Sequence, residues 1–178
     1  MKRYFITAAV AAMFMAAACN QTPSKQSAEG TENTTLADTA ALAKATDPDK
    51  NNVSEVLTSY IALKNDLVKS DGAASKKSAA KLQQELIEVK GCSEAATLAG
   101  EIAATDKVDE QRKAFLTLSK DVITLAKGIK TGKPSFVAFC PMANEGKGGY
   151  WLSEAKEIKN PYYGDAMLEC GEVKEELQ

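Results

Sequence analysis

Histidine is absent from all 178 residues of this chain. That absence removes Ser-His-Asp and Cys-His catalysis, the zinc sites that need imidazole, and the imidazole sites that suit Cu(II). A basic excess is lacking too: 22 Lys and Arg stand against 24 Asp and Glu, a formal charge of −2. The charges are interspersed along helical segments, so nucleic acid is not an expected partner. Nothing else resembles an activated nucleophile, and the carboxylates form no general-acid pair that spacing can establish. No enzyme is expected. Tryptophan occurs once and cysteine four times, so the places where they fall carry information.

What is present begins with export. Lys2 and Arg3 precede an apolar stretch over residues 4–18, too short to span a bilayer as a permanent helix. It closes on Ala16-Ala17-Ala18-Cys19, which resembles a bacterial lipoprotein signal. That resemblance implies removal of residues 1–18 and acylation of Cys19, an anchor in a membrane facing the periplasm or the cell surface. An ordinary signal peptide cut near Ala18 is the alternative, and it predicts export equally. Residues 19–46 are rich in Thr, Ser, Ala, Gln, Glu and Asn, with only Leu36 and Leu42 as large apolar side chains. Such a stretch cannot offset its ordering entropy, and it reads as a flexible tether. Residues 47–178 then suit a single domain.

Within that domain the apolar spacing is helical. Asp47-Pro48 reads as a helix start. Val53, Val56, Leu57, Tyr60, Ile61, Leu67 and Val68 recur at helical spacing, with Lys64 and Asp66 facing away. Ser70-Asp71-Gly72 breaks the pattern. A second helix is expected from about Ala73 to Val89, and a short third one, capped by Ser93, carries Ala95, Leu98, Ala99 and Ile102. In the fourth, Phe115, Leu118, Val122, Leu125 and Ile129 alternate steps of three and four, a bundle-core stripe. The expected fold is therefore all-α: an antiparallel four-helix bundle, with an irregular Cys/Met/Tyr/Trp-rich C-terminal segment (134–175) packed on it. Only Ser135 to Phe139 of that segment suggests an extended piece.

The C-terminal segment holds the candidate chemistry. Cys140 and Met142 are two apart and would leave one face of an extended chain. Met167 and Cys170 are three apart and would share a face on a helical turn. Brought together, the two pairs offer two thiolates and two thioethers, a soft donor set that selects Cu(I) or Ag(I). Zinc is disfavoured, because it usually takes four Cys or His ligands. The competing reading is a Cys140–Cys170 disulfide in an oxidising compartment, with the methionines as core filler. Cys92, at the join of the second and third helices, reads as a small buried residue. Trp151 reads as a buried anchor, and Asn160-Pro161 and Tyr163-Gly164 as turns. An alternative gives Trp151, Asn160, Tyr162 and Tyr163 to the support of a protein-docking surface.

The ordered motifs Cys-Pro-Met-Ala from Cys140, Trp-Leu-Ser from Trp151, Ile-x-Asn-Pro-Tyr-Tyr-Gly from Ile158 and Met-x-x-Cys-Gly from Met167 resemble the domain of unknown function 3347. The likeness extends to Tyr60–Leu67, Ser70-Asp71-Gly72 and Arg112–Leu125. Members of that family are exported proteins of Gram-negative bacteria, some attached to efflux adaptors of the copper and silver type. The resemblance implies a soft-metal module with Cys140, Met142, Met167 and Cys170 as ligands, copper(I) as the cargo and a metal-efflux adaptor as the partner. It carries no enzymatic activity. The disulfide-stapled docking domain stays open as the other reading.

Overall fold

The computed structural model describes residues 48–129 and 133–178, with the side chains of 48–51 excepted. The expected signal segment, Cys19, the tether and the Asp47 cap lie outside the described residues. Among those described, no helix is long and apolar enough to cross a membrane.

Four helices come first: α1 (Pro48–Val68), α2 (Gly72–Ile87), α3 (Ser93–Ala103) and α4 (Val108–Gly128). Each packs on the next, and α1 also meets α4. The corner after α1 is tight. Ser70 adopts a left-handed φ of 56°, while its N–H bonds the Leu67 carbonyl and the Asp71 N–H bonds that of Asp66. This paired closure ends a helix where glycine is the usual residue. Asp71 at once caps α2, its Oδ1 accepting from the Ala74 N–H at 2.9 Å. Before α3 the cap position belongs to Cys92, which makes no side-chain cap bond, and Ser93 is the first helical residue.

The expectation of an all-α domain is overturned by the C-terminal segment. It folds into a three-stranded antiparallel sheet of order β2-β1-β3, with β1 (Ser135–Cys140) between β2 (Gly149–Ser153) and β3 (Glu172–Leu177). A one-turn 3-10 helix, Gly164–Met167, lies between β2 and β3. Aromatic and β-branched side chains make Ser-Phe-Val-Ala-Phe-Cys a natural central strand. Glu172–Leu177 is composed of helix formers, yet it pairs as a charged edge. Ala138 faces Val173 while Val137 faces Glu175, so Lys174 is the extra residue of a bulge. Charge and bulge both protect such an edge from further pairing.

A run of aromatic rings joins the helices to the segment. Tyr60 of α1 stacks on Phe115 of α4 with centroids 5.2 Å apart. Tyr162 meets Phe115 at 5.9 Å and Trp151 at 6.0 Å. Tyr60 and Ser119 share a 2.7 Å hydrogen bond, and the Leu152 N–H of β2 donates to the Tyr60 hydroxyl at 3.2 Å. A strand-edge donor is thus satisfied by a helix side chain. Lys64 corrects the expected polar face of α1: it is 1% exposed, with Nζ 2.7 Å from Glu154 Oε2. Burial becomes tolerable there because a carboxylate from beyond β2 meets the ammonium.

Candidate functional site

Chain topology puts the two C-terminal cysteines side by side. Cys140 is the last residue of the central strand, opposite Gly149. Cys170 precedes the start of β3 by two residues. Their Sγ atoms stand 2.6 Å apart, which is not disulfide bonding distance, and both are free thiols. Cys140 is fully buried, whereas Cys170 is partly exposed. The Cys170 thiol is pushed up from its ordinary value, first by the hydrogen bond it shares with Cys140 and then by burial.

The methionines arrive by a different route from the one their spacing suggests. The extended chain ends at Cys140 and residues 141–147 turn, so Cys140 and Met142 do not continue one strand face. Met142 instead lies on that turn, and its side chain is 52% exposed. The Met142 carbonyl accepts from the Tyr163 hydroxyl at 2.6 Å and from the Gly146 N–H at 3.3 Å. Met167 closes the 3-10 turn, and its carbonyl accepts from the Cys170 N–H at 3.1 Å. Hydrogen bonds thus tie Met167 directly to Cys170, and Met142 to Tyr163, within one knot of turns. Among the described residues, no group of three or more His, Cys, Asp or Glu is placed to hold a metal ion, so a metal here would draw on methionine.

Asn160 organises the knot. It is fully buried, and every polar group it has is used. Nδ2 donates to the Cys170 carbonyl at 2.8 Å and Oδ1 accepts from the Tyr162 N–H at 2.8 Å. Its own N–H donates to Leu168 and its carbonyl accepts from Gly164. Gly171, beside Cys170, has φ +145°, and a Cβ there would lie 2.8 Å from the Trp151 ring. Only glycine lets the chain pass so close to that indole.

Trp151 is fully buried and Tyr162 nearly so. Tyr163 is half-buried, and the Tyr162 hydroxyl donates to the Tyr150 carbonyl. The buried rings of Trp151 and Tyr162 support the knot from inside. Spacing alone missed Arg112. Its Nε donates to the Pro161 carbonyl at 2.9 Å, and its Nη2 donates to the Leu67 carbonyl and to Ser70 Oγ at 3.1 and 2.9 Å. Gly164, at φ +55°, fits between Ser70 and Arg112, where a Cβ would lie 2.6 Å from Ser70 Oγ. The Ser-Asp-Gly corner, the arginine of α4 and the Asn-Pro-Tyr-Tyr-Gly turn are one contact set.

Comparison with known proteins returns one family. The family model described as protein of unknown function (DUF3347) matches residues 56–133. No curated protein and no solved structure matches the chain. The matched stretch runs from α1 to just past α4 and stops before Cys140, so the sulfur knot lies C-terminal to it. Residues 56–133 of this chain are thus similar to the DUF3347 family.

Proposed function

We propose that this is an exported, lipid-anchored module that binds a soft metal ion, Cu(I) or Ag(I), through Cys140 and Cys170 with Met142 and Met167 as thioether donors. One observation carries the reading: two thiols 30 positions apart converge, and the Met167 carbonyl accepts from the Cys170 N–H. A donor set of thiolate and thioether without imidazole favours monovalent copper or silver over harder ions. The helical bundle is the frame, and a metal-efflux adaptor is the recipient that the resemblance implies. Anchoring through Cys19 would keep the module at the membrane surface.

A disulfide-stapled domain without metal is the second reading, and a specific distance favours it. Two sulfurs on one ion stand roughly 4 Å apart, given metal–sulfur bonds of about 2.3 Å. The observed 2.6 Å is shorter. A small side-chain rotation must separate the thiols before they can share an ion. The deciding experiment is a Cu(I) titration of the reduced protein against a competing chelator. Binding of one equivalent that protects two thiols, weakened at least about tenfold by Met142→Leu with the fold intact, supports the metal reading. Stoichiometric binding that is indifferent to all four sulfur residues, or no binding at all, leaves the staple.

A further inference from the structure

The two thiols differ in access, which is one of the properties that govern sulfur exchange. We propose that Cys170 is the entry point for thiol–disulfide exchange with a small disulfide, and that Cys140 is the resolving thiol. Exchange requires the attacking and attacked sulfurs to meet directly, so access decides which cysteine reacts first. Cys140 is 0% exposed at the inner end of the central strand. Cys170 lies on the connection into β3 and is partly exposed. With 2.6 Å between the sulfurs, the second step needs almost no movement.

The reaction balances in two displacements. The Cys170 thiolate attacks one sulfur of the small disulfide, forming a mixed disulfide and releasing one thiolate. The Cys140 thiolate then attacks the Cys170 sulfur, and the second small thiolate leaves. Two protons and two electrons pass from the cysteine pair to the small disulfide, which becomes two thiols. Reduction runs the same path backwards: an external thiolate attacks Cys170 and Cys140 is expelled. The oxidised pair has no thiolate to offer a metal, so this chemistry would set whether the proposed soft-metal site is open. The inference shares with that reading only the requirement that the pair can exist as free thiols.

The test uses oxidised glutathione, no metal, the full chain and peptide mass mapping. Cys140→Ser is expected to accumulate one glutathione on Cys170. In Cys170→Ser, Cys140 is expected to react on the order of a hundredfold more slowly. The unsubstituted protein should end as the internal disulfide, with no lasting adduct on either residue. Cys140→Ala is run beside the serine variant, since it keeps the buried position apolar, and circular dichroism checks each fold. Equal rates at the two cysteines in folded protein overturn the proposal, as does an absence of reaction at both. The Cu(I) titration is separate: exchange without binding sinks only the metal reading, and binding without exchange sinks only this one.

Discussion

Removing the Glu154 carboxylate is expected to cost more than removing the lysine it serves. Lys64 is 1% exposed, and Glu154 Oε2 lies 2.7 Å from its Nζ. Glu154 itself is half in solvent and also accepts from Asn65 Nδ2 at 3.0 Å. Glu154→Ala leaves an ammonium buried without its counter-charge. Breaking a fully buried pair in this way costs about 3–5 kcal/mol. Because one partner is half solvated, and water can enter the space the carboxylate leaves, the expected loss is about 2 kcal/mol. For a domain of this size that corresponds to a fall in Tm on the order of 5–10 °C. Lys64→Met instead places an apolar chain of similar length in an apolar site and returns Glu154 to water. Its expected effect is within about 1 kcal/mol of zero, and adding Glu154→Ala to it should cost nothing further.

The pH dependence supplies a second signature of the same pair. Burial pulls the Lys64 pKa below its ordinary value, and the Glu154 hydrogen bond only partly restores it. The folded state therefore holds the Lys64 proton less tightly than the unfolded chain does, and stability rises with pH through the interval between the two values. Without Glu154 the folded value drops further and that interval widens. The deficit of Glu154→Ala should be largest at neutral pH and shrink toward pH 10, as read by urea denaturation followed by circular dichroism. A Lys64→Met variant as unstable as Glu154→Ala, or a deficit that grows with pH, would refute the reasoning.

Two further substitutions probe how the C-terminal segment is held. Arg112→Ala removes donors from the Pro161 and Leu67 carbonyls and from Ser70, with an expected cost of about 2–4 kcal/mol. Hydrogen exchange should show faster amide exchange around residues 160–164, whereas α3 should be unaffected. Tyr60→Phe keeps the ring on Phe115 but leaves the Leu152 N–H and Ser119 short of a partner. It should cost about 1–3 kcal/mol in chemical denaturation, and a value indistinguishable from zero would mean that water substitutes for the hydroxyl.

The helices were legible because their evidence is local. Steps of three and four place Phe115, Leu118 and Val122 on one stripe, and all three are buried. Only neighbouring residues are needed to see that. Leu63, fully buried in α1, lies on the buried side of the helix as well. The strands were harder to read, since pairing depends on residues far along the chain. Glu-Val-Lys-Glu-Glu-Leu suits a helix by intrinsic preference, yet β1 offers an unpaired edge that Val173 and Leu177 can cover, and that context prevails. Lys64 was misplaced for a related reason: nothing within 80 residues of it shows that Glu154 will be there. At the sulfur site, spacing singled out four residues, of which Cys140 and Cys170 bring their sulfurs together. The route was wrong for Met142, because the strand ends at Cys140 and a turn begins.

The ring contacts from Tyr60 through Phe115 and Tyr162 to Trp151 bear on where this protein can be divided. The stretch matched by the family model ends at residue 133, but a chain ended there would bare the face of α1 and α4 that Tyr162 and β2 cover. The α1 ammonium at Lys64 would also lose its carboxylate. The stretch the family model matches and the stretch that packs together are therefore different lengths of this polypeptide. Transplanting the matched helices alone into another protein would carry the signature but not the ability to stand by itself.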